Sequence, residues 1–182
     1  QVMALVDTAG VMLVFLPGQG DIRRVASQLN QCGCTTPVTS LYGGLPLDKQ
    51  QQVLALAATE PRLIVLTTNV AETSLTIEGV THVIDSGFAR EPVYDPARHR
   101  SRLVTRRISE ANARQRSGRA GRLGPGHSVR LWGKSEVLAR YQLPEIQRVG
   151  LDRLVLDLAR WGCREPQQMP WLDVPPQAAW NS

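Results

Sequence analysis

The sequence has few lysines, few aromatic residues and few cysteines. Phe, Tyr and Trp together make up 5% of the 182 residues. The three cysteines, Cys32, Cys34 and Cys163, are too few and too scattered for a disulfide framework or a four-ligand zinc site. No apolar run approaches the roughly 18 residues that a membrane-spanning helix needs. The sequence therefore predicts a cytoplasmic protein with reduced thiols, without a membrane partner.

Histidine is also scarce, and its positions do not indicate a metal site. His82, His99 and His127 are each isolated from cysteine, aspartate and glutamate at the spacings of metal ligands. We therefore expect packing or surface roles for these histidines, and no metal ligands in the chain.

The basic residues that are present are almost all arginines. Only Lys49 and Lys134 are lysines among the 21 basic residues, and the formal net charge is +5. Between Arg98 and Arg122 there are nine arginines and one acidic residue, Glu110. Because the planar guanidinium group binds phosphate oxygens in pairs, this stretch predicts an electropositive surface and a phosphate-rich partner.

The segment from Gln115 to Arg122 reads QRSGRAGR. Ser109 is a good N-cap and Glu110 provides a first-turn carboxylate, so a helix is expected to begin there. If this helix continues through the segment, Gln115, Arg119 and Arg122 share one face at positions i, i+4 and i+7. The alternative is a solvated basic face, but glycines and a glutamine at fixed offsets favour an anion-binding site.

This octapeptide resembles motif VI of superfamily 2 helicases, in the form typical of the DEAH-box group. Three segments upstream are similar to further parts of the same group, in the same order: residues 13–18 to motif IV, residues 41–46 to the segment that follows it, and residues 66–77 to motif V. The resemblance covers about residues 10–135, and the tail from Leu143 resembles the family's passage into a winged-helix domain. Within the group, the tail at 151–176 is most similar to a bacterial ATP-dependent helicase.

Apolar runs alternate with amphipathic segments along the chain. Strands are expected over residues 11–16, 38–42, 63–67, 80–85 and 128–132, and helices over 21–31, capped by Asp21, and 47–58. This alternation predicts a parallel sheet with helices on both faces. The resemblance implies a RecA-like α/β domain over residues 1–135. It also implies a linker, a short helical tail and the start of a winged-helix-like region over 136–182.

Residues 92–107 interrupt this pattern and predict two short strands joined by a basic turn. Arg98, Arg100 and Arg102 alternate along one proposed strand, so their side chains are expected to share a face toward a phosphate backbone. In the DEAH-box group, an element at this place lies against the nucleic-acid strand. Solvated arginines on a surface hairpin are the alternative.

The sequence lacks a phosphate-binding loop. Gly133, Lys134 and Ser135 match the end of GxxxxGK[ST], but the first glycine would fall at Ser128, and residues 127–132 are typical of a strand. An acidic DEAH motif for magnesium is missing too. In the family both lie in a preceding domain, so the resemblance implies the second half of a bipartite ATPase.

The resemblance assigns roles at the ATP site. It implies that Arg119 and Arg122 are arginine fingers, which stabilise charge on the transferred phosphoryl group, and that Gln115 orients water or contacts the terminal phosphate. Thr76 and Glu78 match positions at the nucleotide cleft, Glu78 near the ribose. Phe88 matches the aromatic residue that stacks on adenine, with core packing as the alternative.

Other residues are assigned to a nucleic-acid strand. The resemblance implies that Gly18, Thr68 and Asn69 bind the backbone of single-stranded RNA or DNA without reading its sequence. The chain is thus expected to be half of an ATP-dependent helicase, acting mainly on RNA. ATP and magnesium would be held mainly by a first RecA-like domain in cis, and this chain alone is expected to be inactive.

Two alternatives stay open. One is a nucleic-acid-binding module without ATPase activity, which would not require Gln115, Arg119 and Arg122 on one face. The other is a DNA-directed superfamily 2 translocase, although the segment 68–77 is more typical of the DEAH-box group.

Overall fold

The computed structural model describes residues 1–6, 8–73, 75–98, 100–122 and 124–181. Asp7, Ser74, His99, Leu123 and Ser182 lie outside the described residues. The expectation for His99, and one position of the motif V-like segment, Ser74, are therefore not addressed by the structure. No helix within the described ranges is both long enough and apolar enough to cross a bilayer.

The chain alternates between strands and helices. The strands are β1 Gly10–Phe15, β2 Val38–Leu41, β3 Arg62–Thr67, β4 Val80–Asp85, β5 Phe88–Asp95, β6 Arg100–Arg107 and β7 His127–Arg130. The α-helices are α1 Val2–Leu5, α2 Gln19–Gln31, α3 Leu47–Thr59, α4 Glu110–Ser117, α5 Asp152–Arg160 and α6 Gln177–Trp180. Short 3-10 turns span Asn69–Ala71, Pro96–Arg98, Glu145–Gln147 and Pro166–Gln168.

Five strands form one sheet in the order β2-β3-β1-β4-β7, and each of its four pairings is parallel. The predicted parallel sheet is therefore confirmed. All five predicted strands of this sheet are present, with ends that shift by at most two residues. The carboxyl ends of these strands meet at one edge, where ligands bind in open α/β sheets.

Helices cover both faces of this sheet, as the continuous apolar strands predicted. Successive residues of β1 pack into two separate core clusters, one with α3 and one with α2. The first cluster contains Val11, Leu13, Phe15, Val53 and Ala57, and the second contains Met12, Val14, Ile22 and Leu29. Each face of the sheet is thus packed against a helix, which fixes the strands through their buried side chains.

Helix α2 begins earlier than expected. Gly18, rather than Asp21, is its N-cap, and the Gly18 carbonyl oxygen accepts hydrogen bonds from the amides of Asp21 and Ile22. The prediction that Asp21 caps the helix is therefore wrong. Asp21 lies in the first turn instead, where a carboxylate still stabilises the positive end of the helix dipole.

The chain divides into two compact units. The first contains residues 1–89 and 106–141, which include the parallel sheet, and the second contains residues 90–105 together with the segment that begins at Gln142. In the second unit the amide of Tyr94 donates to the carbonyl of Arg148, and the amide of Gly150 donates to Ser101 Oγ. The strands from 90 to 105 are thus joined to residues 148–150 by one backbone hydrogen bond and by one from a backbone amide to a serine hydroxyl.

The predicted hairpin is confirmed, since β5 and β6 pair in a separate two-stranded sheet. Its strands are longer than expected, and Pro96–Arg98 forms the connection. Arg98 therefore lies in the turn, where it pairs with Asp95 at 3.7 Å, and its predicted place on a strand is wrong. Proline at 96 has no backbone N–H for the ladder, which ends β5 at Asp95. Arg100 and Arg102 do alternate along β6.

The predicted helical tail is present within the second unit as α5 and α6. Leu158 is buried, whereas Leu156 and Trp161 are exposed. Trp171 and Trp180 meet edge to face with ring centroids 6.1 Å apart, which packs the end of the tail.

Candidate functional site

The loops at the carboxyl edge of the sheet bring together the residues assigned to a nucleic-acid strand. Gly18 follows β1, and Thr68 and Asn69 follow the neighbouring strand β3. The amide of Leu16 donates to the carbonyl of Thr67 at 2.8 Å, so the two loops leave the sheet side by side. Gly18 is buried, Thr68 is half-buried and Asn69 is exposed. Of these three residues, Asn69 offers an exposed amide side chain at this edge.

Helix α4 is positioned by its N-terminus. Ser109 caps it as predicted, and Asn112 completes a capping box by bonding back to the Ser109 amide. The helix ends at Ser117, so the expected continuation through Arg122 is wrong. Beyond it the chain tightens into turns in which the amide of Arg119 bonds to the carbonyl of Arg116. Two glycines within four residues, at 118 and 121, favour this early end.

The three residues predicted to share an anion-binding face nevertheless converge. Gln115, Arg119 and Arg122 line one cleft of about 310 Å³, together with Glu72, Thr73 and Gly118. Gln115 reaches the cleft from the last turn of α4, and the two arginines reach it from the turns that follow. A turn therefore gathers the side chains that a longer helix was expected to align.

Arg119 is buried and held by main-chain oxygens. Its Nε donates to the carbonyl of Glu72 at 2.9 Å, and its Nη1 donates to the carbonyl of Leu75 at 2.7 Å. Burial lowers the pKa of Arg119, the charge of Arg122 lowers it further, and Glu72 opposes both effects. Carbonyl groups orient a guanidinium without neutralising it, so a fixed positive group lies at this edge.

Arg122 is exposed and loosely held. Its Nη1 lies 3.4 Å from Thr76 Oγ1, a long distance for a hydrogen bond. Thr76 is exposed as well, and Glu78 follows it on the surface. Arg122 can therefore reorient toward an incoming anion without breaking a strong bond.

Phe88 is half-buried at the end of the turn that follows β4. The guanidinium carbon of Arg107 lies 4.1 Å from the centroid of its ring. Phe88 does not belong to the core clusters formed by the sheet and its helices. The ring is thus held on one side by a cation and keeps some exposed surface.

Comparison with known proteins decides the family. A profile described as the helicase conserved C-terminal domain matches residues 2–124. The chain belongs to this family.

Its relatives are DEAH-box helicases, as the motifs predicted. The chain is 45% identical over 171 residues to the ATP-dependent RNA helicase HrpB of Escherichia coli, covering 92% of this chain and 21% of HrpB. It is 40% identical over 178 residues to the mouse probable ATP-dependent RNA helicase DHX34, covering 95% of this chain and 16% of that protein. The helicase domain thus spans about a fifth of the length of these relatives.

Solved structures confirm the RecA-like α/β fold. A crystal structure of the E. coli DExH-box NTPase HrpB superposes with a TM-score of 0.85 at 43% identity, over 98% of this chain and 22% of that one. A crystal structure of the E. coli DEAH/RHA helicase HrpB gives a TM-score of 0.87 at 41% identity, over 98% and 24%.

The sequence reasoning missed a buried ionic network that joins α4 to the end of β4 and to the loop after β3. Arg116 is 1% exposed, and it binds Glu72 Oε2 through Nε at 3.0 Å and Asp85 Oδ1 through Nη1 at 2.8 Å. Its Nη1 also donates to the carbonyl of Phe88 at 3.2 Å, and Asn112 donates to the second oxygen of Glu72. The one signal in the sequence was Asp85, because a carboxylate at the end of a buried strand needs a cation or hydrogen-bond donors; its Oδ1 also accepts a hydrogen bond from the Gly87 amide at 2.9 Å.

Arg116 and Arg119 meet on the same residue. Arg116 binds the side chain of Glu72, and Arg119 binds its backbone carbonyl. Glu72 lies in the loop that begins at Thr68 and continues past Leu75. The network therefore fixes the loop that holds Arg119 in place.

Other parts of the helicase domain do not join this site. In the ranges the structure covers, no three His, Cys, Asp or Glu side chains are grouped so that they could hold a metal ion. A larger cavity of about 760 Å³ lies between α4 and β7, and none of the predicted site residues lines it. Gly133 and Lys134 line this cavity, and residues 127–130 form β7 as expected rather than a phosphate cradle.

Proposed function

We propose that this chain is the second RecA-like domain of a DEAH-box, ATP-dependent RNA helicase. In this function Arg119 and Arg122 stabilise negative charge on the phosphoryl group in transfer, and Gln115 orients water or contacts the terminal phosphate. The observation that carries the proposal is the convergence of these three side chains on one cleft at the carboxyl edge of the sheet.

The two arginines would act differently. Arg119 is preorganised by the carbonyls of Glu72 and Leu75, so its charge is already in place when the phosphates arrive. Arg122 is exposed and has a single long hydrogen bond, to Thr76, among the described residues, so it can turn toward the phosphates as the two halves close. One finger is thus fixed and the other is mobile.

The remaining nucleotide contacts are proposed for Thr76, Glu78 and Phe88. ATP supplies the phosphoryl group, and the first RecA-like domain in cis is proposed to hold its phosphates and the magnesium ion. Exposed Thr76 and Glu78 would face the ribose, and the partly exposed ring of Phe88 would stack on adenine. These residues present one hydroxyl, one carboxylate and one aromatic face to a nucleoside, which suits its chemistry.

Nucleic-acid binding is proposed for the adjoining loops and the hairpin. Gly18, Thr68 and Asn69 would contact the sugar-phosphate backbone, because their neighbouring loops place the exposed amide side chain of Asn69 beside half-buried Thr68 at this edge. Thr68 and Asn69 are the first residues of the loop whose later part binds Arg119. A shift of this loop on strand binding would therefore reach the phosphate cleft directly.

We further propose that residues 1–135 form the catalytic half-domain and that residues 136–182 are a linker and the start of a winged-helix-like region. Cys32, Cys34 and Cys163 are free thiols, which suits a cytoplasmic location. Comparing RNA with DNA as activators of the full-length ATPase tests the substrate. Equal stimulation by both would contradict an RNA helicase.

The first prediction concerns the chain by itself. The purified 182-residue chain is expected to show no ATP turnover above background and no tight ATP binding, because it lacks a phosphate-binding loop. A phosphate-release assay with excess ATP measures this, with the full-length protein as the positive control. Robust turnover by the chain alone would contradict the half-site proposal.

The second prediction concerns the hairpin. Replacing Arg98, Arg100 and Arg102 with alanine in the full-length protein is expected to weaken single-strand binding. The salt dependence should flatten by up to about 0.7 in slope for each phosphate that these arginines no longer neutralise, while basal ATPase activity is retained. Salt titration of strand affinity, beside an ATPase assay without nucleic acid, measures both effects.

The matched control replaces Arg153, Arg160 and Arg164, three exposed arginines of the same compact unit, with alanine. This control should leave the slope unchanged. If the hairpin variant also keeps the original slope, its arginines are solvated surface groups. If it loses basal ATPase activity, they serve the nucleotide instead of the strand.

A further inference from the structure

A further arginine, outside the octapeptide at 115–122, contacts the proposed base-stacking residue. Arg107, at the end of β6, places its guanidinium carbon 4.1 Å from the centroid of the Phe88 ring. At this distance the cation is attracted by the negative face of the ring. One face of Phe88 therefore has a partner within the same compact unit.

Arg107 is itself held in place. Its Nε lies 2.5 Å from Glu136 Oε1 and its Nη2 lies 2.6 Å from Glu136 Oε2, which is a two-pronged ion pair. Such pairing fixes the plane of the guanidinium as well as its position. The side chains of Arg107 and Glu136 are about a third exposed, so the pair contributes orientation more than stability.

The backbone next to the Arg107–Phe88 contact leaves no room for a side chain at Gly87. Gly87 has a φ of +79°, and a Cβ atom there would lie 2.7 Å from both Arg107 Nη1 and Trp132 Cε3. Only glycine fits this conformation and this spacing. Arg107 and Trp132 thus close over the peptide that leads directly into Phe88.

The main chain of Phe88 is held by a second arginine. Its carbonyl oxygen accepts a hydrogen bond from Nη1 of buried Arg116 at 3.2 Å. The backbone of Phe88 is therefore held by one arginine and its ring by another. A ring held at both points loses little conformational freedom when a ligand stacks on it.

We propose that Arg107, oriented by Glu136, is a positioning residue for the nucleobase. It holds the Phe88 ring so that the opposite face is presented to the base of the nucleotide, and its charge draws electron density away from that face. The ligand class is a purine nucleoside triphosphate. This inference rests on the base-stacking role of Phe88 in the proposed function.

The test separates base contacts from phosphate contacts in the full-length protein. Arg107→Ala is expected to raise KM for ATP by roughly three- to tenfold, with kcat within about twofold of the original. With ribose 5′-triphosphate, which has no base, the same variant should have an unchanged KM. Arg107→Lys should restore only part of the loss, because an ammonium group cannot reproduce the fork to Glu136.

Two controls make the result specific. Arg106→Ala removes the neighbouring arginine, whose side chain points to the other face of β6, and should leave both KM values unchanged. Phe88→Ala should raise KM for ATP but not for ribose 5′-triphosphate. Combining it with Arg107→Ala should add no further increase, because both changes remove one interaction.

The outcomes distinguish the two proposals. If Phe88→Ala is selective for ATP but Arg107→Ala changes nothing, the Arg107 role is overturned and the base-stacking role of Phe88 stands. If Phe88→Ala has no base-selective effect, both are overturned. Equal increases in KM for ATP and ribose 5′-triphosphate in Arg107→Ala would overturn the positioning role, because they would mean general damage to the site. Additive effects in the double variant would contradict a shared interaction.

Discussion

Arg122→Ala in the full-length enzyme is expected to lower ATP turnover by about 10³- to 10⁵-fold, which corresponds to about 4 to 7 kcal/mol of transition-state stabilisation. Folding should be unaffected, because the exposed guanidinium has only a 3.4 Å hydrogen bond to Thr76 among the described residues. Steady-state phosphate release, measured beside the thermal unfolding temperature, checks both expectations. Near-normal turnover would move the phosphate site away from this cleft.

Arg119→Ala should lower turnover to a similar extent, but for two reasons. It removes a positive charge, and it also leaves the carbonyls of Glu72 and Leu75 without their donor. A lower unfolding temperature is therefore expected for Arg119→Ala and not for Arg122→Ala. Lysine at either position should rescue poorly, because it lacks the planar fork.

Arg114→Ala is the matched control for the Arg119 and Arg122 variants. Arg114 lies on α4 beside Gln115, and it makes an exposed pair with Glu110 at 3.4 Å. Exposed pairs of this kind contribute little to stability. Unchanged turnover and stability are expected, so a large decrease in this variant would show that the assay reports general damage to α4.

Arg116→Ala is expected to destabilise the chain by about 3 to 5 kcal/mol, because Glu72 and Asp85 would stay buried without a cation. Asp85 has one buried carboxylate oxygen, Oδ2, without a hydrogen-bond partner among the described residues. Loss of Arg116 would therefore leave this carboxylate with little to compensate its buried charge. Equilibrium urea unfolding of the chain measures the free energy of unfolding. A decrease below about 1 kcal/mol would contradict the buried network.

A charge-free variant tests the cause of this destabilisation. Arg116→Met combined with Glu72→Gln and Asp85→Asn removes all three charges while roughly keeping their volume. It should recover a large part of the stability that Arg116→Ala removes, because no unpaired charge remains in the interior. If the triple variant is no more stable than Arg116→Ala, poorer packing rather than unpaired charge is the cause.

The sequence predicted the sheet well because burial on both faces leaves a strong local signal. The uninterrupted apolar runs that became β1 and β3 can bury their side chains only between two helical layers. Turns and helix ends were less predictable. Gly18 caps α2 through its backbone carbonyl, whereas the side-chain preference favoured Asp21.

The convergence of Gln115, Arg119 and Arg122 on one cleft was expected from the motif, and their roles there stay a prediction. Helical periodicity could not reveal that α4 stops at Ser117 and that a turn brings the three side chains together. Arg116 was overlooked because arginine is rarely buried, and its two acidic partners are distant in sequence. Long-range ion pairs of this kind leave no local pattern in a single sequence.

The sequence separation between Arg116 and its two acidic partners affects the order in which this part of the domain can fold. Arg116 lies 44 residues after Glu72 and 31 residues after Asp85. While a ribosome is still adding the residues before α4, the growing chain already contains both acids but not the cation that lets them be buried. The two acids can therefore pair with Arg116 only after α4 has emerged. Burial of Glu72 and Asp85 as charged groups is thus coupled to the arrival of α4, the helix that carries their cation.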